Sequence, residues 1–422
     1  MNLEGTGGVA DIEHAARSAR EASRVIAGFE TKLKNRVLVE IASLIAAREA
    51  EVLAANAEDM SAARAAGLPS AKLRRLELSP AALTQVRAGL EQVAALPDPV
   101  GMIVRDDVMP SGLRVRQERT PLGVILMIFE ARPAVTIDAF ALCFKSGNAC
   151  ILKGGREAAR AARVFADIAR EALEIHGCPG NSVTVLPELS RDDLRHLLTL
   201  DRWIDLCIPR GGTELIRFVR EHSTIPTVQH YRGVCHVYVD ESADLEEAER
   251  ICVTAKTSAP AACNAVECIL VHRAEAPRFV ARLVAAYAGA GVEVRADQGA
   301  RVFAPTAKEA DTTDWGSEFL DLVVALRLVD GMDEAIAHIA HYGSDHTEAI
   351  LTRSEERASR FVREVRSSCV LVNASTRFND GFHLGLGAEI GISTSRVHAY
   401  GPMGLEELTT KRFIVEGSGQ TR

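Results

Sequence analysis

The sequence predicts an α/β protein built on two parallel sheets, each carrying helices on both faces. Three observations predict it. The segment from Ile12 to Leu96 is rich in Ala, Leu, Glu and Arg with apolar residues three and four apart. From Val124 to about Glu221, short apolar runs alternate with helical stretches, and a second such series begins at Val237 after a break near Pro226 to Gly233. Apolar runs that do not alternate read as strands buried on both faces, and intervening helices make such sheets parallel.

In chain order, Val37, Val39, Ile41, Leu44 and Ile45 mark an amphipathic helix. Pro69 and Ser79-Pro80 punctuate this helical layer, the latter as an N-cap and first helical residue, and Pro97-Asp98-Pro99-Val100-Gly101 ends it. Met102-Ile103-Val104 and Leu113 to Glu118 flank the turn Met109-Pro110-Ser111-Gly112, which predicts a hairpin. The first series then runs strand Val124–Phe129, helix Val135–Lys145, strand Cys150–Leu152, helix Glu157 to about His176, strand Val183–Leu186, strand Asp205–Ile208 and helix Gly212 to about Glu221. The second runs strand Val237–Val239, helix Leu245–Lys256, a cysteine loop, strand Cys268–Val271, and a helix and strand ending at Val292-Glu293-Val294. A glycine-rich tail from Gly381 through Gly404 leads to a strand-like Arg412–Val415.

A chain of 422 residues exceeds one ordinary core, so two or three domains are expected. A net charge of -8 excludes a nucleic-acid or anionic-membrane surface as the main partner, while leaving local phosphate sites open. The nine cysteines are odd in number, scattered and set in apolar runs, with no C-x-x-C pair. That is neither a disulfide framework nor a zinc site, and no metal is expected. Met1 to Gly8 lacks the charge-then-apolar pattern of a signal peptide, and no apolar run approaches a bilayer span, so a cytoplasmic protein is expected.

The chemistry concentrates in Lys256-Thr257-Ser258-Ala259-Pro260-Ala261-Ala262-Cys263-Asn264-Ala265. Small neighbours leave room for a carbonyl to reach the Cys263 sulfur, and backbone N–H groups of such a loop can meet the oxyanion that thiolate attack creates. An inert buried cysteine is the commoner fate of this residue type. Cys235, beside His236, competes as nucleophile because a histidine can lower a thiol pKa. Lys153-Gly154-Gly155-Arg156-Glu157 and Pro209-Arg210-Gly211-Gly212 are strand-Gly-Gly-helix junctions carrying a cation. Glycines admit a phosphate to the backbone, the helix dipole favours it, and an acidic residue can accept from ribose hydroxyls, so two such loops in one sheet favour a dinucleotide. Gly385 to Gly391 imitates a phosphate loop without a leading parallel strand. Asn373 to Asp380 offers dense hydrogen-bonding groups, suited to a polar pocket or to a solvated loop.

Several of these motifs together carry a resemblance: Pro121-Leu122-Gly123-Val124 with Glu130-Ala131-Arg132-Pro133, Lys145-Ser146-Gly147-Asn148-Ala149, Ile208 to Gly212, Gly233 to Asp240, Cys263-Asn264-Ala265, Tyr342 to Thr347, Asn373 to Phe378 and Gly387 to Ser393. Over about Ala15 to Phe413 the chain resembles the gamma-glutamyl phosphate reductases, also called glutamate-5-semialdehyde dehydrogenases, a branch of the aldehyde dehydrogenase superfamily. The resemblance implies two Rossmann-like three-layer α/β domains and a small β oligomerisation flap. Residues 1–228 would hold the N-terminal helices and an NADP-binding domain, interrupted by hairpin 103–120. Residues 229–378 would form the catalytic domain, 379–405 would return to the inter-domain cleft, and 103–120 with 406–422 would make the flap of a dimer or tetramer. The implied reaction is NADPH-dependent reduction of L-glutamyl 5-phosphate to L-glutamate 5-semialdehyde and phosphate through a thioester, the second step of proline synthesis from glutamate. Functional coupling to glutamate 5-kinase goes with it.

On the same resemblance Cys263 is the nucleophile, the backbone of Cys263 and Asn264 meets the oxyanion, Lys153 and Glu157 contact the adenosine ribose, and Glu318 contacts the nicotinamide ribose. Gly154, Gly155, Arg210, Gly211 and Gly212 complete the cofactor set, with Arg156 and Arg210 as readers of a 2′-phosphate. Charge matching within the motifs assigns Arg377, Asp380, Glu389 and Ser393 to the substrate, and Arg132 and His230 join them as substrate candidates. His230-Tyr231-Arg232-Gly233 stands where hydrolytic relatives place a water-activating glutamate; losing that base preserves the thioester, and His230 then either assists a phosphate oxygen or packs. Ala134 and Ala259 replace the branch's asparagine and arginine, and no asparagine near Ala131 matches the superfamily's side-chain oxyanion donor. The rival readings are another acylating aldehyde dehydrogenase, using phosphate or coenzyme A, and a catalytically silent dinucleotide-binding scaffold.

Overall fold

The computed structural model describes residues 8–229 and 232–421, so Met1 to Gly7, and the expected substrate residue His230 with Tyr231, lie outside the described residues. The chain forms two compact units, one of residues 1–229, 386–391 and 403–422, the other of 230–385 and 392–402.

The first unit opens with five helices, α1 Val9–Ile26, α2 Thr31–Ala47, α3 Glu49–Ala65, α4 Ser70–Leu76 and α5 Pro80–Ala95. Ser79 caps α5 as its sequence predicts, its hydroxyl accepting from Ala82 N with Pro80 in the first turn. The helical layer is anchored by a buried cation. Lys34 Nζ lies 2.5 Å from an Asp98 oxygen and donates to Lys145 O at 3.0 Å, joining α2 to the segment after α5 and to α6 Val135–Lys145.

The expected hairpin is β1 Ile103–Val108 and β2 Arg114–Pro121, antiparallel, with Gly112 at φ +81° closing the turn. The terminal strand β16 Thr409–Glu416 pairs antiparallel with β2, making a three-stranded sheet. The main sheet of this unit has β3 Val124–Phe129, β4 Ala149–Lys153, β5 Val183–Val185 and β6 Leu206–Arg210, all parallel, in the order β5-β4-β3-β6. The chain moves outward from β3 to β5 and returns to β6 on the other side of β3, which puts a topological switch point between β3 and β6. Asn148 pins this region by accepting from Gly123 N and donating to Leu408 O, both at 2.8 Å. The Lys145 to Ala149 motif is therefore structural.

Three helices complete the unit: α7 Ala159–Ile175, α8 Arg191–Leu197 and α9 Thr213–His222. The helix expected from Glu157 begins instead with a 3₁₀ turn, Arg156–Ala158, followed by α7. Helix α8 is too short for apolar periodicity to reveal, although its Ser190 cap, accepting from Asp193 N, is a residue type that signals a helix start.

In the second unit seven parallel strands stand in the order β10-β9-β11-β8-β7-β12-β13: β7 Cys235–Val239, β8 Val266–His272, β9 Glu293–Ala296, β10 Lys308–Glu309, β11 Val323–Val329, β12 Thr347–Leu351 and β13 Cys369–Val372. Helices α10 Leu245–Thr257, α11 Ala276–Gly289, α12 Gln298–Arg301, α13 Met332–Tyr342 and α14 Glu355–Glu364 connect them. Alternation along the strands builds two cores. Val237, Ile269 and Leu326 pack with Phe279 and Leu283 of α11, whereas Tyr238, Leu270 and Ala325 pack with Met332 and Ala335 of α13 and Phe361 of α14. The second strand series extends well past Val294, the last strand expected from the sequence. Two three-residue strands in the tail, β14 Gly391–Ser393 and β15 Gly401–Met403, complete the set.

Candidate active site

The carboxyl ends of β3 and β4 open into a pocket of about 220 Å³ lined by Phe129, Glu130, Lys153, Gly155, Glu157 and Leu215, with Lys72 at its side. Its floor is held by Glu157, whose Oε1 accepts from Ala131 N at 2.6 Å and fixes Ala131 at φ +44°. A β-carbon on Gly155 would lie 2.2 Å from that same carboxylate, and one on Gly154 would press on the Phe129 ring. Only at Gly155 is the approach tight, and there Glu157 would have to move to admit a side chain. Burial pulls the Lys153 ammonium below the usual lysine range, against the raising influence of Glu157, Glu188 and Glu130. A cation, a carboxylate and a glycine backbone at the carboxyl ends of parallel strands suit a nucleotide's phosphate and ribose.

Arg210 is used by the chain itself. Its guanidinium donates to Ile390 O and packs against Gly391, so it anchors the 386–391 segment. Arg156 pairs with Glu188 at 3.5 Å on an exposed surface. Gly212 caps α9 without a side-chain partner, while a β-carbon on Gly211 would strike Leu215. The glycine series at Gly385 to Gly391 also has structural reasons, since Gly387 sits at φ +75° against Leu96.

Cys263 lies in the turn between α10 and β8, at the amino end of the strand. Of the nine cysteines only Cys263 and Cys369 are not buried. Burial pushes the Cys369 thiol up to about 11. It pushes the Cys235 thiol up much further, reinforced by the charge of Glu348, so Cys235 is held neutral and loses the competition for nucleophile. Cys235 instead braces the turn, its sulfur donating to Cys263 O at 3.2 Å.

The cysteine turn rests on a buried polar network. Asn264, 4% exposed, donates from Nδ2 to Asn379 O at 3.0 Å and to Arg377 O at 3.5 Å. Asn379 Nδ2 donates to Thr347 Oγ1 at 2.7 Å, and Thr347 Oγ1 is 2.7 Å from His346 Nδ1, which also lies 3.6 Å from the Cys235 sulfur. The Asn264 side chain thus fixes the loop of Arg377, and its amide donor is engaged within the chain. Gly233 completes the support: a β-carbon there would lie 1.8 Å from Cys263 O, and its N–H donates to Glu318 Oε1 at 2.9 Å.

Beneath the sheet, His236, Cys268 and His338 bring three possible metal-ligand atoms within 4.8 Å of one another, a cluster that sequence spacing could not reveal. Glu348 accepts from His236 Nδ1 at 2.9 Å, as in a carboxylate-histidine-metal arrangement. His338 argues otherwise. Arg327 Nη1 stands 2.9 Å from its Nδ1, so Nδ1 accepts and the ring proton sits on Nε2, facing the Cys268 sulfur at 3.7 Å. The cluster is organised for hydrogen bonding, and burial, with His236 and Arg327 adding to it, drops the His338 pKa to about 3.

Comparison with known proteins fits this geometry. Residues 5–318 match the aldehyde dehydrogenase family. Gamma-glutamyl phosphate reductase of Desulforapulum autotrophicum is 52% identical over 97% of this chain and 98% of its own, and that of Xanthomonas campestris is 48% identical over 97% and 99%. The crystal structure of gamma-glutamyl phosphate reductase from Thermotoga maritima superposes with a TM-score of 0.95 at 40% identity, covering 97% of this chain and 99% of that one. The chain belongs to the aldehyde dehydrogenase family, in its gamma-glutamyl phosphate reductase branch.

Family membership brings a nicotinamide dinucleotide as cofactor, and the pocket at β3 and β4 has the donor set for one. An acetylating aldehyde dehydrogenase from Geobacillus thermoglucosidasius shares the fold, with a TM-score of 0.70 at 16% identity over 98% of each chain. Within this aldehyde dehydrogenase fold, the residues assigned to substrate by charge matching divide. Arg377 is half-buried and tied through its carbonyl to Asn264, the residue after Cys263. Asp380 spends both oxygens on His383, accepting from its N at 2.8 Å and lying 2.7 Å from its Nδ1. Ser393 is fully buried and its hydroxyl accepts from Ser395 N. Arg132 is exposed and Glu389 half-exposed, both in the first unit. Thr347 and Asn379 support the cysteine turn without any sequence signal of their own. Only the polar density of their motifs hints at it.

Proposed function

We propose that this chain reduces L-glutamyl 5-phosphate with NADPH to L-glutamate 5-semialdehyde and phosphate. The observation that carries the reading is the placement of Cys263, the accessible cysteine of a small-residue turn, in a chain 52% identical over nearly its whole length to a gamma-glutamyl phosphate reductase. The Cys263 thiolate attacks the acyl carbon; the carbon–oxygen bond to phosphate breaks and phosphate leaves with the electron pair. A nicotinamide dinucleotide, when bound, supplies the hydride that reduces the thioester. Collapse of the thiohemiacetal expels the Cys263 sulfur and releases the aldehyde. Backbone N–H groups at Cys263 and Asn264 meet the oxyanion, and Ala259 and the other small neighbours keep the approach open. Lys153, Gly154, Gly155 and Glu157 hold the adenosine end of the dinucleotide, with Glu318 at the nicotinamide ribose and Arg377 at the substrate.

NADP rather than NAD is the proposed cofactor, with Lys72 and Lys153 as the pocket cations facing its phosphates; kcat/KM for the two dinucleotides decides it. The three-stranded sheet exposes Val108 at 73% and Phe413 at 61%, which supports its role as the flap of a homo-oligomer. Among the described residues no helix is long and apolar enough to cross a membrane.

The test runs the reaction backwards. With glutamate 5-semialdehyde and NADP, turnover must require inorganic phosphate. Turnover with coenzyme A in its place identifies a different acyl acceptor, and turnover that needs neither overturns the reading.

A further inference from the structure

The two members of a buried ion pair stand eleven residues apart in sequence, one on each side of the cysteine turn. Lys256, at the end of α10, is 0% exposed and its Nζ lies 2.6 Å from Glu267 Oε2; Glu267, 1% exposed, is the second residue of β8. Isolated in a core, such a pair is a poor source of stability, because desolvation cancels the attraction. Its other oxygen points to a use. Glu267 Oε1 accepts from Leu320 N at 3.3 Å, and Leu320 is held at φ +54°, a left-handed conformation unfavourable for leucine. Phe319 is clamped between cations, Arg295 5.2 Å and Lys256 6.0 Å from its ring centre. Arg232 Nη1 donates to Gly316 O at 3.1 Å, and Glu318 accepts from Gly233 N. Each residue of the 316–320 segment but Ser317 is thereby tied either to the ion pair or to the strand entry beside Cys263.

We propose that Lys256 and Glu267 are positioning residues for the cofactor: the pair sets the 316–320 segment so that Glu318 presents its carboxylate both to Gly233 N and to the nicotinamide ribose. This rests on the dinucleotide reading of Glu318 given above. Lys256 orients the Glu267 carboxylate, Glu267 holds the Leu320 amide, and the strained Leu320 turn aims Glu318. Neither residue touches substrate.

The experiment compares Lys256→Met/Glu267→Met with Lys256→Met/Glu267→Gln in the full chain. Both remove the buried charges, but glutamine keeps an acceptor for Leu320 N. NADPH binding is followed by its fluorescence and by steady-state KM. A hydrogen bond to a charged group is worth roughly a factor of ten in an equilibrium. The Met/Met variant is expected to weaken NADPH about tenfold, with KM for the acyl substrate little changed, and Met/Gln to recover to within about threefold of wild type. Met/Met binding NADPH as wild type does, or both variants weakened equally, overturns the proposal. If Met/Met does not fold, amide exchange in the wild type decides: residues 316–320 must be protected and slow further when NADPH is added, and free exchange there refutes it. Wild type that binds no NADPH at all instead removes the underlying dinucleotide reading.

Discussion

Gly233 lies against the main chain of Cys263 so closely that a β-carbon at 233 would stand 1.8 Å from the Cys263 carbonyl oxygen and 2.9 Å from its α-carbon. The glycine precedes β7 and the cysteine precedes β8, so two adjacent strand entries share one volume. Gly233→Ala must therefore displace Cys263. A misplacement near 1 Å costs about a hundredfold in rate, and kcat should fall by about that factor while the chain stays folded by circular dichroism. Wild-type kcat in the alanine variant would show that the turn tolerates movement.

The two central cysteines should separate cleanly. Cys263→Ser should abolish turnover, whereas Cys235→Ala, which loses one hydrogen bond to Cys263 O, should keep kcat within about tenfold. Iodoacetamide near pH 8 should label Cys263 and leave Cys235 intact, because burial holds Cys235 as a neutral thiol. Mass mapping of the alkylated peptides reads the result.

Glu157 shapes the pocket at β3 and β4, the proposed nucleotide site, through the Ala131 amide. Glu157→Ala removes both that bond and the carboxylate, so KM for the dinucleotide should rise roughly tenfold with kcat much less affected, the pattern of lost uniform binding. A fall in kcat at unchanged KM would place Glu157 in the chemistry instead.

Asp98→Ala strands the Lys34 ammonium in a site only 1% exposed. Removing one partner of a buried pair costs about 3–5 kcal/mol, so the melting temperature should drop by many degrees. Replacing both, Lys34→Met/Asp98→Ala, should recover most of the loss. Calorimetry of the two variants is the check.

His338 gives the fold a defined acid response. Its folded pKa, near 3, lies below the usual 6.5, so the unfolded chain binds a proton that the folded chain refuses between those values. The stability this contributes is fully present above about pH 6.5 and is lost as pH falls toward 3, by up to about 1.4 kcal/mol per pH unit. Glu267, raised to about 7 chiefly by burial, acts in the opposite sense, its contribution lost as pH rises from about 4.5 to 7. His338→Asn should therefore flatten the acid limb relative to wild type. Denaturant melts at pH 5 and pH 7 measure the difference, and parallel wild-type and variant limbs contradict it.

The first sheet was legible in the sequence because its strands are buried on both faces and read as unbroken apolar runs, Val124 to Phe129 among them. The second sheet was legible only as far as Val294, since β11 and β12 follow loops whose polar residues mask the rhythm. Cys263 stood out through its small neighbours. The network beneath it did not, because Asn264, Thr347 and Asn379 come together only when β8, β12 and the following loop are placed side by side. The bonds that Ser393 and Asp380 make within the chain were equally hidden, because charge and polarity in a motif do not say which groups the chain itself engages.

The central claim is an acyl-enzyme on Cys263 that phosphate must resolve. Mixing the enzyme with glutamate 5-semialdehyde and NADP, with phosphate rigorously excluded, should give a burst of one NADPH per active site and then a stall, with a glutamyl adduct found by mass spectrometry on the peptide carrying Cys263. Continuous NADPH formation without phosphate, or an adduct on any other residue, would contradict it.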